Sequence, residues 1–332
     1  MRYEMNAETN LIQIVGEELC RQLVNRELAF DAIQDVFSAM ARGGARNFPV
    51  IREGLGHAGA VYGFKSGFDA EGLVLGVKSG GYWPGNADRG LTNHQSTVIL
   101  FDPDTGQPSA LVGGNYLTAI RTAASSAVSI AHLARKDAKV LGVVGAGHQS
   151  AFQLRAAAEQ RDFEKVVAWN PHPEMLPKLA AVAQDIGLDF ESVSQRELGA
   201  QADVIITITS AFEPLLMRDW IKPGTHLACM GTDTKGKMEV DPELVASAQV
   251  FTDEVAQSVT IGEAQHAAAS GELDPDAITP IGAVINGDHP GRTKADQITL
   301  FDGTGVGLQD LAVASVAARL ASEAGLAGTV RL

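Results

Sequence analysis

The segment KVLGVVGAGHQS, Lys139 to Ser150, restricts the architecture more than any other stretch of the chain. An apolar run, Val140 to Val144, stops at Gly145; Gly147 follows, and Ser150 to Gln160 has a helix-forming composition. That order is strand, tight glycine turn, helix. In such a turn the first N–H groups of the helix and its positive dipole end face outward, which suits a pyrophosphate. Gly145 and Gly147 allow close backbone approach, and the amides of His148 and Gln149 are the groups expected to meet the phosphates. The third position of the Gly-x-Gly-x-x-Gly pattern is Ser150, and one such motif also describes an ordinary strand-to-helix turn.

The texture on either side of this segment differs. From Lys139 onward, apolar runs at Val166 to Trp169, Val204 to Thr209, His226 to Met230 and Val250 to Thr252 are separated by helix-compatible segments such as Glu174 to Ile186. Strands alternating with helices predict parallel βαβ units with right-handed crossovers. Before it, Val15 to Arg42 reads as one helix, and Phe48 to Leu111 as short β-prone runs between Gly, Asn and Asp turns. Asn115 to Ala134 reads as helix, and Gln309 to Ala324 as an alanine-rich helix returning to the first domain. The fold class expected is α/β. A doubly wound Rossmann domain, residues 122–307, is inserted into an α+β antiparallel-sheet domain made of residues 1–121 and 308–332.

Charge and composition narrow the function. The formal net charge of −14 opposes binding to a nucleic-acid backbone, which needs a basic face. Two cysteines, Cys20 and Cys229, are too few for a disulfide framework or a cysteine-rich zinc site, and the eight histidines show no paired ligand spacing, so no metal is expected. No apolar run approaches the ~20 residues of a membrane helix, and MRYEMNAETN lacks an apolar signal core. A soluble cytoplasmic protein is the expectation.

Six colinear blocks identify a family: GLTNHQSTVILFDPDTGQP, YLTAIRTAASSAV, GVVGAGHQS, ADVIITITS, MGTDTKGK and FDGTGVGLQDLAVA together resemble the ornithine cyclodeaminase and mu-crystallin family. The resemblance implies a homodimer in which the antiparallel-sheet domain binds substrate and carries the dimer interface. It also implies NAD(P)-dependent chemistry on the C=N bond of an α-imino acid. Within the family, YGFKSGFDA, KSGGYWPGN, WNPHPEML and TDEVAQS resemble bacterial members that reduce iminosuccinate to L-aspartate.

Reducing an α-imino acid requires a carboxylate clamp, a hydride donor and control of the nitrogen's proton. Arg46, Lys78 and Arg121 match the family's cationic clamp. Arg121 stands out on the residues alone. It lies within Leu117 to Ala131, an otherwise small and apolar helix, where a cation is costly to bury unless an anion satisfies it. Asp233 follows His226 to Met230 and so stands at the carboxyl end of a strand, where doubly wound sheets bind ligands. The resemblance assigns it the substrate amine's proton, with Lys78 as the alternative donor. Gln95, in NHQSTV, is expected beside the substrate or nicotinamide. A second substrate carboxylate would need another donor, and Arg52, His57, Lys65, His94 and Asn93 are candidates.

The cofactor set comprises Thr122, Gly145, Ala146, Gly147, His148, Gln149, Asn170, Ile208, Thr209, Thr304 and Gly305. Asn170 occupies the place where an acid ordinarily takes the ribose hydroxyls, which removes one argument for NAD, and Pro171 stands where an arginine would favour NADP; NADH is preferred and NADPH remains admissible. The principal reading is an NAD(P)H-dependent imine reductase. A cyclodeaminase, an alanine dehydrogenase, a cyclic ketimine reductase and a crystallin-like binding protein are the alternatives.

Overall fold

The computed structural model describes residues 11–331. They form two compact units, one running to Arg121 and resuming at Val306, the other spanning Thr122–Gly305.

The first unit is built on one eight-stranded sheet. Its strands are β1 (Leu11–Val15), β2 (Ala45–Asn47), β3 (Ile51–Gly54), β4 (Val61–Asp69), β5 (Val74–Tyr82), β6 (His94–Phe101) and β7 (Pro108–Gly113), with Gly328–Arg331 closing one edge. The order is Gly328–Arg331, β1, β7, β6, β5, β4, β2, and β3 pairs with β4. All pairings are antiparallel except β1 with β7. The β6–β7 turn is held by Asp102, whose Oδ1 accepts from the N–H groups of Asp104 and Thr105 at 2.9 and 2.8 Å.

The helix Gly307–Glu323 lies on this sheet, and missing side chains set how closely it lies. A Cβ on Gly67 of β4 would come within 2.9 Å of the Leu308 side chain, and one on Gly76 of β5 within 2.8 Å of Leu311. Gly67 and Gly76 are cross-strand partners, so one face of the sheet is cleared for the helix. Alternate residues of a strand point to opposite faces. Lys65 and Lys78, also cross-strand partners, therefore share the helix-covered face.

The single helix expected over Val15 to Arg42 is three elements instead. Val15 ends β1, a short helix spans Glu17–Leu23, and a second helix runs Arg26–Ala41. The interruption is a cap: Asn25 is extended and its side chain accepts from Leu28 N–H at 2.9 Å, restarting the helix. Pro49 likewise divides the β-prone run after Asn47, since it brings no N–H to a ladder.

The second unit carries an eight-stranded parallel sheet in the order Asp189–Ser192, Lys165–Trp169, Val140–Val144, Val204–Thr207, His226–Cys229, Thr299–Asp302, Gln249–Thr252, Thr279–Pro280. This is the doubly wound arrangement the alternation predicts. Its central strands are buried throughout, save for partly buried Val140, as strands covered on both faces must be. Val140–Val144 occupies the position from which the strand order runs in both directions. The turn leaving it needs glycine: Gly145 has φ +111°, and a Cβ there would stand 2.7 Å from Ile208 O. Gly145→Ala is expected to destabilise the protein by about 1–3 kcal/mol. Gly147→Ala, where a Cβ meets nothing within 4 Å, should leave stability unchanged, both variants being read by the denaturation midpoint.

Candidate functional site

The first unit buries a cluster of ionised groups beneath the Gly307–Glu323 helix. Lys78 Nζ, on β5, donates to Asp310 Oδ1 at 3.1 Å, and Arg121 Nε donates to the same oxygen at 3.1 Å. Arg121 Nη1 also donates to Gln309 Oε1 at 2.7 Å. The three charged side chains are all less than a tenth exposed. Asp310 is the partner that makes Arg121 tolerable in an apolar helix, and it was not among the residues anticipated. Its signal was present: Gln309 and Asp310 are consecutive polar residues entering an alanine-rich helix whose first turn is buried.

Two cations on one carboxylate oxygen set the protonation of the cluster. Burial works to raise the Asp310 carboxyl, but Arg121, Lys78 and Lys65 outweigh it and hold it below the usual carboxylate range. Lys78 moves the other way from an ordinary ion-paired lysine. Burial pushes it down, Asp310 pulls it up, and Arg121 and Lys65 push it down again, leaving it at about 8. His94, on β6, is pushed to about 3 by burial and by Lys78, so it is neutral near pH 7.

Arg46 stands apart from this cluster. It pairs with Phe68 across β2 and β4, whereas its neighbour Asn47 pairs with Gly67 and accepts from Leu308 N–H at 3.1 Å. Asn47 therefore faces the helix and Arg46 faces away, exposed, with its guanidinium 5.5 Å from the Phe48 ring centre. Gln95, near the start of β6, is engaged on both sides: Nε2 donates to Thr92 O at 2.8 Å, and Oε1 accepts from Nδ2 of Asn115, the first residue of the Asn115–Leu133 helix, at 3.2 Å.

The second unit carries the glycine turn and the loops at the carboxyl ends of its strands. Ser150 Oγ donates to Gly147 O at 2.8 Å, so the serine in the third glycine's place closes the turn. Asn170 Oδ1 accepts from Ala146 N–H at 3.0 Å, and its Nδ2 donates to His172 O at 2.8 Å. Asn170 thus braces the turn as well as standing where an acid would. His148 is exposed beside Phe152, and Gln149 precedes the Ser150–Ala158 helix. Buried Thr122 follows Arg121 in the Asn115–Leu133 helix. A positive φ at Gly145, open space at Gly147 and a helix start beyond them fit a dinucleotide pyrophosphate.

Two buried acids hold the remaining loops. Glu239 Oε1 accepts from Thr209 N–H and Oγ1 at 2.6 and 2.7 Å, and Oε2 accepts from Thr207 Oγ1 at 2.6 Å and Gly231 N–H at 2.8 Å. Ile208, next to Thr209, donates its N–H to Val144 O at 2.9 Å. Asp253 accepts from Thr304 N–H and Oγ1 through Oδ1, and from Gly305 N–H through Oδ2 at 2.8 Å. Asp233 is partly exposed, and its Oδ1 accepts from Lys237 Nζ at 2.7 Å and Thr234 Oγ1 at 3.1 Å. Neither Glu239 nor Asp253 was anticipated from sequence. Among the described residues no group of three His, Cys, Asp or Glu side chains could hold a metal ion, and no helix is long and apolar enough to cross a membrane.

The model of the ornithine cyclodeaminase/mu-crystallin family matches residues 18–324. The chain belongs to this family. Its similarity to family members is extensive. It is 61% identical over 319 residues to the iminosuccinate reductase of Paracoccus denitrificans, covering 96% of this chain and 99% of that protein. The crystal structure of that reductase in complex with NAD+ superposes with a TM-score of 0.94, covering 97% of this chain and all of the other. An alanine dehydrogenase of Archaeoglobus fulgidus is 32% identical across 91% of this chain and 93% of its own length. The Thermococcus litoralis Δ1-pyrroline-2-carboxylate reductase, solved with NADH and L-proline, is 27% identical with a TM-score of 0.91, covering 96% of this chain and all of that one. The resemblance carried by YGFKSGFDA and KSGGYWPGN agrees with the first of these.

Two outcomes follow from the buried cluster. Asp310→Asn removes the anion shared by Lys78 and Arg121 and should cost about 3–5 kcal/mol, read as a lowered denaturation midpoint. Because Lys78 is held at about 8 in the fold against an ordinary 10.5, the unfolded chain binds the extra proton between those values, so this group's contribution to stability should rise with pH across that window, read as the denaturation midpoint.

Proposed function

We propose that the chain is an NAD-dependent imine reductase that converts iminosuccinate, NADH and a proton to L-aspartate and NAD+. The observation that carries this reading is the 61% identity, across 96% of the chain, to a reductase of that substrate. The buried cations of the first unit support it. Lys78 and Arg121 suit a carboxylate clamp because charge-assisted bonds provide both energy and orientation. Arg46 is left out of that clamp, since the pleat sets it on the opposite face of the sheet from Lys78.

When bound, NADH supplies the hydride. The chain's part is to seat it and to manage charge and protons. Gly145, Gly147 and the start of the Ser150–Ala158 helix would receive the pyrophosphate, with Ala146, His148 and Gln149 alongside. Asn170 holds the turn in shape and adds no charge against a 2′-phosphate. NADH is taken as the working reductant because the Paracoccus and Thermococcus relatives were solved with NAD+ and NADH. Ile208, Thr209, Thr304 and Gly305, on loops braced by Glu239 and Asp253, would line the rest of the nucleotide path, with Thr122. Asp233, oriented by Lys237 and Thr234, would handle the proton of the substrate nitrogen, and Gln95 would stand beside the substrate. A homodimer is taken from the family resemblance. A cytoplasmic location suits Cys20 and Cys229, which are free and buried.

Purified protein with NADH, ammonia and oxaloacetate should consume NADH and release L-aspartate, with pyruvate and a cyclic ketimine acid as slower substrates. Ornithine converted to proline and ammonia without net NADH change, with oxaloacetate inert, would overturn the reading. Asp233→Asn should retain NAD+ binding while turnover falls by about 10²–10⁴-fold. A fully active variant would move the proton to Lys78.

A further inference from the structure

Iminosuccinate carries two carboxylates, and the clamp at Lys78 and Arg121 accounts for one. Five residues of the β-rich unit could meet the second: Arg52, His57, Lys65, His94 and Asn93. The structure separates them. Arg52 and Lys65 already have partners of their own, and His57 is exposed in the segment between β3 and β4. Asn93 is committed to its loop, with Oδ1 accepting from Ala87 N–H at 3.0 Å and Nδ2 donating to Tyr82 Oη at 3.2 Å. His94 is the exception, because the chain fixes its backbone and leaves its ring unused.

His94 opens β6 and pairs with Tyr82 of β5, four residues along that strand from Lys78. Side chains two apart on a strand, and those of cross-strand partners, share a face, so His94, Ser96 and Lys78 point to one side of the sheet. Between Lys78 and His94 the two strands place only Gly80 and Ser96 on that side. Thr92 Oγ1 donates to His94 O, Ser96 N–H to Asn115 Oδ1 and Trp83 N–H to Asn93 O, each at 2.8 Å. The imidazole itself makes no hydrogen bond with any described residue. Other shielded imidazoles are used: His226 bridges Ser129 Oγ at 3.1 Å and Thr299 Oγ1 at 2.9 Å, and His266 Nε2 lies 3.2 Å from Lys237 O. His94 is still close to the ions, since Lys78, Asp310, Arg121 and Lys65 all act on it. Burial and Lys78 keep the ring neutral near pH 7. A neutral imidazole retains one N–H donor and adds no positive charge beside Lys78 and Arg121.

We infer that His94 is a specificity-determining residue whose imidazole N–H donates to the second carboxylate of a dicarboxylic imino acid held at its first by Lys78 and Arg121. This inference rests on the imine-reductase reading above. By ladder spacing the Cα atoms of Lys78 and His94 are about 14 Å apart. A lysine and an imidazole reaching from either end narrow that to the span of a four-carbon diacid hydrogen-bonded at both ends. A monocarboxylic imino acid leaves the imidazole N–H without its acceptor, and a site built around such a bond discriminates against a substrate that lacks it.

The test compares wild type, His94→Leu and His94→Gln, each with NADH and ammonia, on oxaloacetate and on pyruvate. The readout is the ratio of kcat/KM for the two keto acids. Imine formation in solution is common to all three proteins and cancels, as does any effect on folding or on the shared clamp. His94→Leu should lower the oxaloacetate-to-pyruvate ratio by about 10–100-fold, mainly through KM for oxaloacetate. His94→Gln, which keeps an N–H donor, should restore most of it. Calorimetry on the NAD+-loaded protein should show His94→Leu weakening succinate by a similar factor and propionate little. An unchanged ratio in His94→Leu, with active wild type, overturns the role of His94, and so does a ratio that His94→Gln leaves as low. Wild type inert toward oxaloacetate and ammonia overturns the reductase reading instead, and the succinate-to-propionate comparison then judges His94 by itself.

Discussion

The acceptance of two cations by a single oxygen of Asp310 is the interaction on which the first unit depends. It joins β5, the Asn115–Leu133 helix and the Gly307–Glu323 helix through fully buried charges. Removing water from three charged groups is expensive, and their mutual attraction offsets this only when each group is paired. The glycines at 67 and 76 allow it, because they let the helix descend until Leu308 and Leu311 touch the sheet and Asp310 reaches Lys78. Packing and electrostatics are therefore one device. A side chain at either glycine would lift the helix and separate the ions.

The same logic recurs in the second unit with different partners. Glu239 and Asp253 are buried acids whose acceptors are filled by backbone and threonine donors from the loops that follow the strands. Glu263, beside Glu239, is raised to about 8 by burial and by that neighbour, and accepts from the N–H groups of Glu239 and Val240 at 2.8 Å each. Loops held in this way keep a fixed shape before any ligand arrives, which is what positioning a reactive group requires.

Much of this was legible in the sequence, for physical reasons. The parallel sheet was visible because strands buried on both faces read as apolar runs, and the turn at Gly145 because only glycine tolerates its φ. Arg121 announced itself as a cation in an apolar helix, and that anomaly pointed to a buried anion. What stayed hidden depended on tertiary contact. Asp310 lies 232 residues from Lys78 and 189 from Arg121 in the chain. Arg46 looked equivalent to Lys78 until strand register placed it on the other face. Asn25 could have been read as a cap, and the break it makes divides a helix that hydrophobic spacing alone runs together.

The central claim is that the chain delivers a hydride from NADH to the imine carbon of a dicarboxylic imino acid. Its most direct test is the fate of deuterium from NADH dideuterated at nicotinamide C4 in a reaction with oxaloacetate and ammonia, followed by NMR and mass spectrometry. The account predicts L-aspartate bearing one deuterium at Cα. Malate labelled at its carbinol carbon, or aspartate without label, would contradict it.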